Sequence, residues 1–415
     1  MDMRNRILPW QRRRLWTALA VPLCIAFAVL AVGADRAGGP VAGVAAREAA
    51  AAIARPSDEP VAGVAGEFQP QSALILGGGE LIAQHGGIFA ALVAATHTHV
   101  RLIALVPSEL HRRIARNLLK DEGLPADAVT FVISPARTMW ARDYGPLFVR
   151  RRDGTVAIID AEYAQGVYDT EAAPEDLVPA WLGWQFDLDA MDVPLRLDGG
   201  NLLTNGDGLC VTTSALVDAN LDRGYGEDHI RVLLQYLFRI KTWINLRPLA
   251  EEETEHVDMF LTFLAENVAV VAQCDPRDDP INAFILEQAA ERLVGLPTRK
   301  GPMKVYRVPM PDPKDGVWRS YTNVILANGV LLVPSYSDVD PAIEREVLAL
   351  YGRLLPTWEV VPINVDSLIR LGGALHCVAT HVPAFVPVDP DTLKFWAGEP
   401  ADPPRLRGHR GRARM

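Results

Sequence analysis

The chain predicts an α/β fold of roughly five repeated sheet-and-helix units, and three observations carry that expectation. Apolar runs with strand spacing alternate with stretches of helical spacing from residue 67 to 385. The composition, 49% hydrophobic and 22% charged over 415 residues, can bury a sizeable core. Glycines follow the first strand in LILGGGELIAQHGG but lack the GxGxxG spacing, which argues against a Rossmann domain.

The elements follow in order. SALILGG is the opening strand and GGIFAALVAATHT its helix. VRLIALVPS, ELHRRIARNLLKDEG and VTFVISP continue as strand, helix and strand. GPLFVRR and VAIIDAEY read as a strand pair, LCVTTSALV as a strand, and EDHIRVLLQYLFRI as the next helix. MFLTFL and NVAVVAQ precede the helix INAFILEQAAERLVGL and the strand MKVYRVPM. NVILANGVLLVPSY, PAIEREVLALYGRLL and EVVPINV complete the body. Apolar residues recur three and four apart in the helices, and the strands are rich in β-branched residues. The tail, residues 386–415, is Pro-rich and then Arg-rich, the composition of a disordered segment.

Residues 15–34, LWTALAVPLCIAFAVLAVGA, are uncharged and mostly apolar after a basic run. Residues 1–34 therefore read as a signal peptide or a membrane anchor. Residues 35–66, rich in Ala, Gly and Pro, read as a flexible tether. The positive-inside rule then places the body outside the cytoplasm, periplasmic, extracellular or anchored facing outward. Net charge is −10 although both ends are arginine-rich, so the body is more acidic than the whole. An acidic body argues against nucleic acid as a partner and is compatible with a cationic ligand. Four Cys are present and no CxxC, so neither a zinc site nor a disulfide framework is indicated. Cys24 lies in the apolar segment; Cys210, Cys274 and Cys377 are widely spaced.

Four short stretches carry polar residues where strands should end: WARDYGP, LDGGN, EHVDMF and LGGALHC. Singly they are ordinary. Asp143 has Arg142 beside it for a loop ion pair, Asp198 begins a turn-like sequence, His256 suits a satisfied core position, and Cys377 suits a small buried apolar site. His256 and Asp258, two apart, are expected on one face of a strand. As a set they supply a thiol, an imidazole and three carboxylates. A planar cation such as guanidinium is held well by carboxylates that accept paired N–H bonds. Asp143 and Asp258 fit that clamp, and Cys377 fits the nucleophile. His256 fits the acid and base, with Asp198 orienting its ring. Neighbouring glycines let backbone approach a ligand closely.

These motifs, in this order, resemble the bacterial peptidylarginine deiminase/agmatine deiminase family of guanidine-modifying enzymes. GEFQPQSALI and YTNVILANGVLLVPSY resemble two further family stretches, so the likeness covers residues 67–385. The resemblance implies a five-bladed α/β propeller, the pentein fold, with no metal and no organic cofactor. It implies Cys377 as nucleophile, His256 as acid/base, Asp198 as its partner, and Asp143 and Asp258 as guanidinium clamps. Trp140 and Asn323 would line the substrate site, and Arg142 would support its loop. The substrate would be a small-molecule or peptidyl guanidine, and a homo-oligomer is compatible with it. Two departures stand out: Asp198 replaces a more frequent Glu, and LILGGGE replaces a Trp-rich stretch.

Other classes remain open on the residues alone. A Cys/His amidase would use the thiol and imidazole, but Asp143 and Asp258 would repel its oxyanion. Amidino transfer shares the chemistry up to the covalent intermediate. A catalytically weak surface-binding protein would need none of the five polar residues.

Overall fold

One local arrangement recurs along the chain. Two strands joined by a short turn pair antiparallel, a helix crosses over, and the next strand returns parallel to the second. The computed structural model describes residues 61–164, 174–313 and 315–388. Among them, five sheets of three or four strands carry the fold, beside one two-stranded ribbon. The first complete repeat pairs Leu147–Arg151 with Val156–Glu162, crosses by the helix Val178–Phe186 and returns in Asp189–Arg196. The second uses Leu203–Thr204, Leu209–Thr213, the helix Glu227–Phe238 and Thr242–Leu246. The third uses Leu261–Ala265, Val268–Gln273, Pro280–Leu293 and Lys304–Pro309. The fourth uses Ile325–Ala327, Val330–Ser335, Pro341–Leu354 and Glu359–Asn364. The last takes a strand from each end of the body. Ala379–Pro383 pairs antiparallel with Gln71–Gly77, and Arg101–Val106 and Val129–Ile133 extend the sheet in parallel.

The local chemistry explains these boundaries. Asp279 and Asp340 cap the third and fourth crossover helices, accepting from the backbone N–H of Asn282 and Ala342, and each is followed by a first-turn proline. Ala327 faces Val330 across the two-residue turn Asn328–Gly329, whose φ angles of 44° and 103° require residues that tolerate the left-handed region. The central strands are buried on both faces, which is why they read as near-continuous apolar runs. The largest apolar cluster runs from Leu74 through Leu261 and Leu331 to Ala379, so it joins four of the five sheets.

Several expectations needed correction. LCVTTSALV is strand only to Thr213, and Ala215–Asp218 is a helical turn. NVILANGVLLVPSY is a hairpin of two strands. The strands Asp189–Arg196, Thr242–Leu246 and Ala379–Pro383 and the helix Val178–Phe186 were not anticipated. Pro194, Pro383 and mixed polarity disguise the strands; a helix as apolar as VPAWLGWQF has no periodic stripe to read. Val61–Gly63 pairs with Leu147–Arg151, so the fold begins within the stretch expected to be a tether. The apolar segment, the rest of the tether and residues 389–415 lie outside the described residues. No helix among the described residues is long and apolar enough to cross a membrane.

Candidate active site

The polar clusters occupy equivalent places in the repeats. Each sits on the turn that leads into the first strand of a unit. The one-turn helix Ala141–Tyr144 precedes Leu147–Arg151, and the turn Gly199–Asn201 precedes Leu203–Thr204. The turn Val257–Met259 precedes Leu261–Ala265, and His376–Val378 precedes Ala379–Pro383. Asn323 stands just before Ile325–Ala327, so all five units contribute. His256 and Asp258 therefore share a tight turn and not a strand face.

The turns converge on Gly200. A methyl group built there would lie 2.6 Å from Asp143 Oδ1, 2.7 Å from His256 Nδ1 and 3.1 Å from Asp258 Oδ2. Only glycine fits a point where three reactive groups crowd the backbone. Asp143 Oδ1 accepts the Gly200 N–H at 3.1 Å and stands 3.5 Å from His256 Nδ1. The other ring nitrogen, His256 Nε2, faces Asp198 Oδ2 at 3.4 Å, while Asp198 Oδ1 accepts the Ala164 N–H at 2.8 Å. Across the site, Asn323 Nδ2 donates to Cys377 Sγ at 3.3 Å, and Sγ lies 3.9 Å from Asp258 Oδ2. Asp258 is 1% exposed; its Oδ2 accepts from His376 Nδ1 at 2.6 Å, and its Oδ1 has no partner among the described residues. Trp140 packs on the loop that carries Cys377: a methyl at Gly373 would meet the indole at 2.4 Å and Cys377 Cβ at 3.1 Å. A cavity of about 280 Å³ reaches the site from the imidazole side, walled by Asp198, His256, Glu253 and Glu255 among others.

Burial and crowding set the charges. Burial pushes Asp143 up to about 7, with Asp198 and Asp258 adding to the rise and His256 opposing it. Burial alone would lower His256, but Asp143, Asp198 and Asp258 outweigh it and push the imidazole up to about 10. Burial, then Asp258 and Asp143, hold the Cys377 thiol well above its ordinary range. The resting site thus pairs an imidazolium with carboxylates and keeps a neutral thiol. A cation entering between Asp143 and Asp258 would favour both the ionised Asp143 and the thiolate. Cys210 is fully buried, and burial holds its thiol well above the usual range too; Cys274 is pushed up to about 11 by burial and Asp279.

Sequence reasoning brought Asp143, Asp198, His256, Asp258, Asn323, Cys377 and Trp140 forward, and the structure gathers all of them. It missed a second layer behind Asp258. His376 Nε2 contacts Glu67 Oε1 and Oε2 at 3.0 and 2.9 Å. Arg142 Nη1 stands 2.8 Å from Glu67, Nη2 donates to His381 Nδ1 at 2.6 Å, and Nε donates to the Ala379 carbonyl at 3.1 Å. Arg142 thus ties its own loop to the closing strand. Burial would raise Glu67, but Arg142, His376 and His381 hold it well below the usual range; burial lowers His381. A neutral His381 accepts from Arg142 and donates from Nε2 to the Leu326 carbonyl at 2.9 Å. Glu67, His376 and His381 could offer a metal three ligand atoms within 4.8 Å of one another. The Arg142 guanidinium already serves Glu67 and His381 as their cation. His376 and Glu67 stood within GGALHC and GEFQPQ, the signal that could have exposed them.

Residues 75–383 match the Porphyromonas-type peptidyl-arginine deiminase family. The chain is 27% identical over 277 residues to an agmatine deiminase of Pseudomonas putida, covering 59% of this chain and 74% of that one. Its fold is similar to that of a substrate-bound C. jejuni agmatine deiminase, with a TM-score of 0.67 at 18% identity over 77% of this chain and 96% of the other. An Enterococcus faecalis agmatine deiminase is similar at a TM-score of 0.66 and 20% identity, over 79% and 99% of the two chains. These likenesses show an α/β pentein fold.

Proposed function

The chain belongs to the Porphyromonas-type peptidyl-arginine deiminase family, and from that membership we infer that it is a hydrolase that deiminates guanidine groups. The observation that carries the reading is the convergence of Asp143, His256 and Asp258 on Gly200, with Cys377 against Asp258. Asp143 and Asp258 hold the planar cation, and the cation's charge draws the thiol toward thiolate. Sulfur attacks the guanidinium carbon while His256 gives a proton to one nitrogen, which leaves as ammonia. His256 then takes a proton from water, water attacks the thiouronium carbon, and the C–S bond breaks. The guanidine becomes a ureido group, and water supplies its oxygen. Asn323 holds the sulfur, Asp198 orients the imidazole, and Trp140 supports the nucleophile loop.

The substrate is agmatine, giving N-carbamoylputrescine, or an arginine side chain of a peptide, giving citrulline. The agmatine deiminases among its relatives support the first; exported placement supports the second. That placement is part of the proposal: residues 1–34 act as signal peptide or outward-facing anchor, supported by their basic-then-apolar order. A five-bladed arrangement of the repeats is proposed as well, supported by five equivalent turns meeting at one site.

The test is to incubate the protein with agmatine, free arginine and arginine peptides and to count ureido product and ammonia. Equimolar release of both from any of these supports deimination. Transfer of the amidino group to an added amine without ammonia would replace hydrolysis by amidino transfer. A compartment-sensitive reporter fused after residue 66 tests the placement, and cytoplasmic signal alone would reject it.

A further inference from the structure

Asp258 is a buried carboxylate with one oxygen committed and one oxygen unused. Oδ2 takes a short 2.6 Å bond from His376 Nδ1; Oδ1, equally buried, takes none among the described residues. An unmet acceptor in the interior is costly, so a native site retains one where a ligand completes it. The oxygen that His376 holds also faces the site: Oδ2 lies 3.9 Å from Cys377 Sγ and 3.1 Å from a methyl built at Gly200. A carboxylate free to turn about its last bond could offer either oxygen to the Cys377 thiol or to solvent.

His376 is itself fixed from behind. Its Nε2 meets both oxygens of Glu67, which is held in turn by Arg142 Nη1 at 2.8 Å. With a carboxylate at each ring nitrogen, both nitrogens carry protons, and the charges alternate from Arg142 through Glu67 and His376 to Asp258. Cys377 follows His376 directly in the chain, and the Asn323 side chain accepts the His376 N–H at 2.9 Å while donating to Cys377 Sγ at 3.3 Å. One turn therefore sets the place of the sulfur and the aim of the carboxylate together.

We propose that His376, backed by Glu67, is a positioning residue that pins Asp258 Oδ2 and so fixes the carboxylate in place for the cationic group of the substrate. The inference rests on Asp258 as a clamp for that cation. It gives His376 no part in proton transfer.

Two near-isosteres separate the ring nitrogens. Asn at this position keeps an N–H donor near Nδ1, toward Asp258. Gln keeps a donor near Nε2, toward Glu67, and abandons Asp258. The readout is the ratio of rates at which Cys377 is alkylated by 2-chloroacetamidine, a planar cation, and by neutral 2-chloroacetamide, in the full chain. His376→Gln should lower this ratio by about tenfold or more, the scale of one hydrogen bond to a charged group. His376→Asn should stay within about threefold of the parent, because its donor to Asp258 survives. A loss of general packing would slow both reagents and leave the ratio alone. An unchanged ratio in His376→Gln, or equal losses in both variants, would overturn the proposal. Asp258→Asn separates the two levels. If it lowers the ratio and His376→Gln does not, the positioning role alone fails. If Asp258→Asn leaves the ratio unchanged, the clamp and the positioning role both fall.

Discussion

Cys377, Asp143 and His256 each carry a prediction from their surroundings. Cys377→Ser should lower turnover by orders of magnitude with the melting temperature nearly unchanged, because a hydroxyl cannot supply a thiolate. A haloacetamidine should label Cys377 before Cys210 or Cys274 in a peptide map, and first labelling at Cys274 would remove the assignment. Asp143 must be ionised to hold a cation, and burial has raised it to about 7. The ionised fraction grows as pH rises through that value, so kcat/KM should climb between about pH 6 and 8. His256, raised to about 10, supplies its proton only below that pH, so activity should fall again on the alkaline side. A flat profile across pH 6–8 would contradict the role of Asp143. Asp143→Asn should cost about 2–5 kcal/mol in kcat/KM, as for a broken buried charge pair. Asp198 stands 3.4 Å from the imidazole, at the loose end of hydrogen-bond range. Asp198→Glu, with one more methylene, should keep activity within about tenfold of the parent, whereas Asp198→Ala should lose more. Equal losses in a rate assay would show that the longer arm cannot be seated.

At the scale of elements, the turns matter more than the strands they introduce. Gly200 gives the sharpest test: alanine there would press on Asp143, His256 and Asp258 at 3.1 Å or less. Gly200→Ala should reduce kcat/KM by about a hundredfold, the cost of a misplacement near 1 Å. Thermal melting would check that the fold persists. The helices Glu227–Phe238, Pro280–Leu293 and Pro341–Leu354 were legible because their apolar stripes and acidic or proline starts are local signals. The returning strand Thr242–Leu246 was not, since its pairing with Leu209–Thr213 is decided far away in the sequence. The site divided along the same line. Asp143, Asp198, His256 and Cys377 stood in motifs whose chemistry could be added up. The long-range contact between Glu67 and His376 became apparent only when the chain brought its two ends together.

For the whole molecule, the strand Ala379–Pro383 is the critical piece. It covers the edge of Gln71–Gly77 and joins Arg142 to the body through the Ala379 carbonyl. A chain ending at Val378 keeps Cys377 but leaves a long apolar edge unpaired, an invitation to aggregation. Its soluble yield should drop sharply, and any soluble fraction should melt well below the parent. A truncated protein of parental stability would show that the closing strand is dispensable.

That closing strand also imposes an order in time. The chain is made from its N-terminus, so Gln71–Gly77 emerges early and waits for a partner encoded about three hundred residues later. Cys377 arrives only two residues before that partner begins. A chain made only as far as residue 370 has its carboxylates and imidazole but neither the sulfur of Cys377 nor the strand that seats it. Birth order therefore acts as a safety catch: a nascent or prematurely ended polypeptide lacks the parts for the reaction.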